Sequence, residues 1–191
     1  MADYIHFRIR RQDRPDSMPY WQEFGIPSQP GHKVVSALMV IRENPVTLAG
    51  ERVDPVAWEY NCMEEVCGAC SMVVNGRPRQ ACSALVDELD QPVTLEPLAK
   101  FPVVRDLMVD RGAIFDRLKR VRAWIEIDGA WDIYQGAPRI SPQTWRETYL
   151  YSQCMSCGCC LASCPQYGAH NDFVWPAALA QVRLMNVRGD V

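Results

Sequence analysis

What these 191 residues lack narrows their function before any motif is considered. No run of eighteen or more apolar residues occurs, so no segment qualifies as a membrane-spanning helix. No basic-then-apolar stretch of the secretory kind stands at the N-terminus. No Gly-rich nucleotide fingerprint follows a strand pattern, which removes the usual phosphate cradle. The net charge of −3 is too small to call for a nucleic-acid partner. The three histidines, His6, His32 and His170, are scattered, whereas Rieske-type ligation needs two of them beside cysteines. No repeat, low-complexity tract or convincing catalytic residue stands out.

Cysteine is what the chain has in quantity. The nine cysteines fall into groups of four and five, unlike the even stapling of a secreted scaffold, so a reducing compartment is expected. The second group reads Cys154-Met155-Ser156-Cys157-Gly158-Cys159-Cys160-Leu161-Ala162-Ser163-Cys164-Pro165. Within it Cys154, Cys157, Cys160 and Cys164 follow C-x2-C-x2-C-x3-C-P, the bacterial-ferredoxin spacing in which the fourth thiolate serves a different cluster from the first three. Pro165 fixes φ and removes a donor, turning the chain away at that point. Cys159 breaks the three-residue rhythm and is expected to be a spare, small buried residue. A zinc site would need a second paired knuckle or matched histidines, and none follows Cys164.

The first group is independent of the second. Cys62, Cys67 and Cys70, with Cys82 further on, match the plant-type [2Fe–2S] pattern C-x4-C-x2-C…C. Gly68 and Ala69 are small enough for the backbone to wrap closely. Asn75-Gly76 lies between two extended runs and predicts a tight hairpin that returns Cys82 towards the other three. Glu64 and Glu65 beside the first thiol are either solvated or charges that would lower a cluster's potential.

Periodicity supplies the frame. Residues 4–10 alternate, with Ile5, Phe7 and Ile9 on one face, which predicts a half-buried strand. Residues 21–26 read as a returning strand, and 32–42 as a helix ending near Asn44-Pro45. With the cluster loop, the hairpin and a short strand at 93–95, this is the order of a β-grasp ferredoxin, assigned to residues 1–102. From Val103 the residues Val104, Leu107, Met108, Ile114, Phe115, Leu118 and Val121 fit one helical stripe interrupted by Gly112, so a helical domain is expected over 103–191. Residues 100–122 carry seven basic and three acidic side chains, read as a solvated helix face or a docking surface for an acidic partner or lipid headgroups. Residues 129–142 read as a connecting loop, and 142–152 as a helix leading into the second cysteine group.

Both motifs in this order, with Pro102-Val103-Val104-Arg105-Asp106-Leu107 between them, resemble the iron–sulfur subunits of succinate dehydrogenase and fumarate reductase over residues 5–187. The resemblance implies an α+β chain, with an N-terminal β-grasp [2Fe–2S] domain followed by an incomplete all-α ferredoxin-like domain. It implies Cys62, Cys67, Cys70 and Cys82 as [2Fe–2S] ligands, Cys154, Cys157 and Cys160 as ligands of a [4Fe–4S] cluster, and Cys164 as a ligand of a [3Fe–4S] cluster. Family members draw the remaining ligands of the last two clusters from a further Cys-rich segment that these residues do not contain. Both sites are therefore expected to be short of ligands, and residues 173–184 to expose apolar surface.

The implied work is an electron relay between the FAD of a flavoprotein subunit and membrane quinone, here menaquinone, reached through a cytochrome b anchor on the cytoplasmic face of the inner membrane. Pro165 matches a family position lining the quinone site, whereas the Trp that some relatives place after it is replaced by Gln166, Tyr167, Gly168 and Ala169. Dicarboxylate chemistry would belong to the flavoprotein. A fumarate reductase subunit working in the opposite direction shares the pattern, and a zinc-stabilised non-redox binding module is the rival of a different class.

Overall fold

The computed structural model describes residues 4–124, 140–168 and 171–188. Of the expected connecting loop at 129–142, all but the last three residues lie outside that set. In chain order the elements are β1 Tyr4–Arg11, β2 Tyr20–Pro27, α1 Val34–Glu43, β3 Ser71–Val74, β4 Arg77–Gln80, β5 Val93–Glu96, β6 Val103–Arg105, β7 Met108–Val109, α2 Gly112–Arg120, α3 Pro142–Ser152, α4 Cys159–Ser163 and α5 Pro176–Arg188. They fall into two compact units, Met1–Arg111 with Cys157–Ser163, and Gly112–Ser156 with Cys164–Val191.

The first unit is built on a five-stranded sheet of order β2-β1-β5-β3-β4. Ile5, Phe7 and Ile9 are buried at alternate positions of β1, as the period of two requires. β1 pairs antiparallel with β2 and parallel with β5, and β3 pairs antiparallel with both β4 and β5. The helix α1 buries Val34, Val35, Ala37, Leu38 and Ile41, and it stops at Asn44, just before the proline. Between β3 and β4, Asn75 and Gly76 have φ of 46° and 76°, the left-handed pair that a two-residue hairpin demands. Asn75 also uses its side chain: Nδ2 donates to the Asp90 carbonyl at 2.8 Å, and Oδ1 accepts from the Thr94 N–H at 2.7 Å. The turn is thereby tied to β5.

Residues 103–109 depart from expectation. They form the β6–β7 pair rather than the first turns of a helix. Asp106, with φ 48°, makes the turn between them, and its N–H donates to the Gln12 carbonyl at 2.8 Å. The Leu107 N–H donates to the Ala57 carbonyl at 3.1 Å. These long-range partners take the donors that a helix would direct four residues back. Gly112 accordingly begins α2 instead of interrupting it, and of the apolar stripe assigned to that helix Ile114 is buried while Phe115 is 58% exposed.

The second unit holds α2, α3 and α5. α3 starts where Pro142 occupies the first turn and the Ser141 hydroxyl accepts from the Thr144 N–H at 3.1 Å. Against α3, α5 places Gln181 Nε2 on the Tyr151 carbonyl at 3.2 Å and Arg183 beside Glu147 at 3.5 Å. Residues 173–184 do not expose their apolar surface as expected: Trp175, Ala178 and Leu184 are buried, and Leu179 is exposed. The side chains buried in these helices are Ile114 of α2, Thr148 of α3, and Ala178 and Leu184 of α5.

Five of the seven basic side chains at 100–122 make ion-pair or ring contacts, and Lys119 and Arg120 remain largely exposed. Within the first unit Arg105 meets Asp54 at 3.4 Å and Arg111 meets Glu59 at 3.5 Å. Within the second, Lys119 meets Asp116 at 3.9 Å, Arg120 meets Asp172 at 3.5 Å, and the Arg117 guanidinium lies 4.5 Å from the centre of the Tyr167 ring. Among the described residues no helix is long and apolar enough to cross a membrane.

Candidate functional site

The first cysteine group occupies an irregular loop in the first unit. Met63, Glu65 and Gly68 all adopt positive φ, at 59°, 59° and 72°. For two non-glycine residues in six this is costly backbone, of the kind that surrounding structure must enforce. Its result is a concentration of amide donors on sulfur. The N–H groups of Glu64, Val66 and Cys67 donate to Cys62 Sγ at 3.4, 3.4 and 3.3 Å. Cys67 Sγ accepts from the Cys62 and Ala69 N–H groups, each at 3.5 Å. The amide of Glu64, followed by that of Val66, holds the Cys62 thiol down at about 7, because a hydrogen bond to the thiolate favours the charged form.

The other two thiols are paired by the hairpin. Ser71 is opposite Gln80 in the β3–β4 register, so the residues just outside, Cys70 and Ala81, must meet at the open end. The Ala81 N–H does donate to the Cys70 carbonyl, at 3.1 Å. The first turn of α1 holds the same segment from the other side, through Val35 N–H to the Ala81 carbonyl at 3.1 Å and Val34 N–H to the Ala84 carbonyl at 2.9 Å. Cys70 and Cys82 are buried and their thiols are hydrogen-bonded to each other. Burial pushes Cys70 up to about 11. The first group is therefore two thiol pairs, Cys62 with Cys67 and Cys70 with Cys82.

A buried ion pair braces the entrance to this loop. Arg11 continues the inward alternation of β1 and is 1% exposed; Asp106 is fully buried. Arg11 Nε donates to Asp106 Oδ1 at 2.8 Å, and its other nitrogens reach Gln22 Oε1 at 2.6 Å and the Asp54 carbonyl at 3.1 Å. Asp106 also accepts from the N–H groups of Gln12 at 3.0 Å and Ala57 at 2.8 Å. Every strong donor and acceptor in the pair is used, which is the condition for a buried ion pair to be tolerated. Four segments are joined there, and one of them, residues 54–58, leads directly to Cys62. Trp58, stacked on Tyr60 at 4.6 Å, continues the anchoring.

The second cysteine group is divided by the two units. Cys157, Cys159 and Cys160 belong with the sheet, and Cys154 and Cys164 with the helices. In the first unit α4 packs on β4 and buries Leu161 and Ala162, while Cys160 is exposed. Cys159 is not the fully buried apolar residue expected. It is half-buried and hydrogen-bonded to Cys157, with Gln80 Nε2 a further 4.0 Å away. The Cys159 thiol lowers Cys157 to about 6, and the same contact raises Cys159. Cys164 is buried at the start of its segment, and Cys154 is half-buried after α3.

The cysteine motifs do not point to Arg11, Asp106 or Arg111. Arg11 had a signal, a charge at the fourth inward position of an alternating strand, which must find a buried partner. For Arg111, whose guanidinium reaches the Gly68 and Ala69 carbonyls, nothing local marks the role.

Chemically, four cysteine thiols arranged as two pairs, with amides already directed at two sulfurs, suit a group of two metal atoms bridged by sulfide. Among the described residues no three His, Cys, Asp or Glu side chains converge on one point. Residues 6–116 match the family described as 2Fe-2S iron-sulfur cluster binding domain. The succinate dehydrogenase iron-sulfur subunit of Bacillus subtilis is 54% identical over 182 residues, covering 95% of this chain and 72% of that protein. The fumarate reductase iron-sulfur subunit of Wolinella succinogenes is 35% identical over 187 residues, covering 95% and 75% respectively. A chain of the Mycobacterium smegmatis Sdh1 complex in the apo form shares the fold, with TM-score 0.76, 23% identity and coverage of 96% of this chain and 76% of that one.

Proposed function

Because the chain belongs to the iron–sulfur subunits of succinate dehydrogenase and fumarate reductase, we propose that its first loop holds the [2Fe–2S] cluster through Cys62, Cys67, Cys70 and Cys82. The observation that carries this reading is the pairing of those thiols, with five amide-to-sulfur hydrogen bonds already in place on Cys62 and Cys67. A cluster bound there exchanges one electron at a time, at a potential set by hydrogen bonds to sulfur and by local charge. The chain's own contribution is to favour the Cys62 thiolate, to space the two pairs through the hairpin, and to keep Cys70 and Cys82 away from water.

Cys154, Cys157 and Cys160 serve as ligands of the [4Fe–4S] cluster, and Cys164 as a ligand of the [3Fe–4S] cluster, by their positions in the C-x2-C-x2-C-x3-C-P run. The working partners are an FAD-containing flavoprotein subunit as donor or acceptor and a membrane cytochrome b anchor that passes electrons to or from menaquinone, at the cytoplasmic face of the inner membrane. Succinate chemistry is assigned to the flavoprotein partner. Purified without partners, the chain is expected to bleach and recolour with dithionite and air while giving no reduction of a dye by succinate. Succinate-driven turnover by the isolated chain would overturn the relay assignment.

A further inference from the structure

We propose that Arg111 is a positioning residue for the first cysteine loop, aiming an amide at Cys67 and setting a fixed positive charge beside the thiols; this rests on the reading of those thiols as the [2Fe–2S] ligands. Arg111 Nη1 donates to the Gly68 carbonyl and Nη2 to the Ala69 carbonyl, both at 2.7 Å. Two consecutive carbonyls are thus held by one rigid fork, a geometry that a lysine ammonium cannot reproduce. Gly68 and Ala69 are all that separates Cys67 from Cys70, so their conformation sets the spacing between one thiol pair and the other. Ser71 Oγ, donating to the same Gly68 carbonyl at 2.8 Å, fixes it from a second direction.

Peptide planarity carries the effect to sulfur. In a trans peptide the C=O and the following N–H point in opposite directions. Drawing the Gly68 carbonyl towards Arg111 therefore turns the Ala69 N–H the other way, and that N–H is the one found on Cys67 Sγ at 3.5 Å. The left-handed φ of Gly68 permits this orientation. The charge matters too. The Arg111 side chain is only 18% exposed, so solvent screens it less than a surface arginine, and its nearest carboxylate, Glu59, lies at 3.5 Å and is 43% exposed. Reduction adds negative charge to the bound group, which a nearby cation and an N–H donor to sulfur both favour.

The test is made on the full-length protein, by redox titration followed with electron paramagnetic resonance and by hydrogen exchange over residues 67–71. In R111Q the reduction equilibrium constant is expected to fall about tenfold, the scale of one partly buried charge, with faster exchange over the loop. R111K keeps the charge and loses the fork: its potential shifts less than that of R111Q, and its exchange rises as much. An R111Q protein with the potential and exchange of the unaltered chain overturns the proposal. If R111Q binds no cluster, R111K decides, a shifted potential or raised exchange supporting the role and an unchanged protein overturning it. If both are empty, a native circular dichroism spectrum supports loop positioning, and an unfolded one reassigns Arg111 to general stability. C67S separates this from the ligand reading. Loss of the signal in C67S upholds the ligands whatever Arg111 does, and its retention removes them.

Discussion

The first cysteine group, Cys62, Cys67, Cys70 and Cys82, and the five-cysteine run at 154–164 differ in their surroundings. The first lies wholly within one unit, between a buried ion pair and a hairpin whose register brings Cys70 to Ala81. Its sulfurs already receive amide hydrogen bonds. The second is divided, Cys157 and Cys160 belonging to one unit and Cys154 and Cys164 to the other. Cys157 accepts hydrogen bonds from both the thiol and the backbone N–H of Cys159, with the side chains of Gln80 and Ser71 also bonded to it. Donor spacing is thus similarly explicit in both, whereas only the first group lies wholly within one unit. Metal binding and folding are coupled most strongly where the site is not preformed.

The largest way to break this contrast is to remove the brace. Arg11→Met leaves Asp106 charged, buried and short of its main partner, which costs about 3–5 kcal/mol. Urea unfolding of the metal-free chain should show a loss of that size, and R11M/D106L should recover part of it because the uncompensated charge is gone. A loss in R11M no larger than that of a surface ion pair would mean that the entrance to the loop is held by other contacts.

A smaller effect sharpens the same contrast through pH. Cys62 is held near 7, below the usual value of 9, so its thiolate stabilises the folded metal-free chain fully above about pH 9. That contribution is lost as pH falls through about 7. At pH 7.5, iodoacetamide labelling read by peptide mass spectrometry should modify Cys62 well before Cys70, which burial holds near 11. Equal rates would show that the amides of Glu64 and Val66 do not act on Cys62 in solution.

The parts legible in the sequence are those whose cause is local. Asn75-Gly76 implies its own turn, Ile5, Phe7 and Ile9 mark their face, and Pro142 after Ser141 starts α3 without help from elsewhere. Residues 103–109 were not legible as strands, because over seven residues Val104, Leu107 and Met108 satisfy a helical period as well as an extended one. What decides is Asp106 meeting Arg11, ninety-five positions away in sequence. The cysteine spacing reveals which thiols belong together in each motif. It is silent on the polar shell, since Arg111 reaches Gly68 and Ala69 only after the β6–β7 turn has brought the chain back.

The central claim is that the four thiols of the first unit form one self-sufficient [2Fe–2S] site. It is tested most directly by replacing Cys154, Cys157, Cys160 and Cys164 with serine together in the full-length chain and quantifying the reduced-state electron paramagnetic resonance signal against bound iron and sulfide. The expected result is one spin-half centre per chain with two irons and two sulfides, and its loss on further replacing Cys82 by serine. A chain that loses the signal when only the second cysteine group is removed would contradict the account.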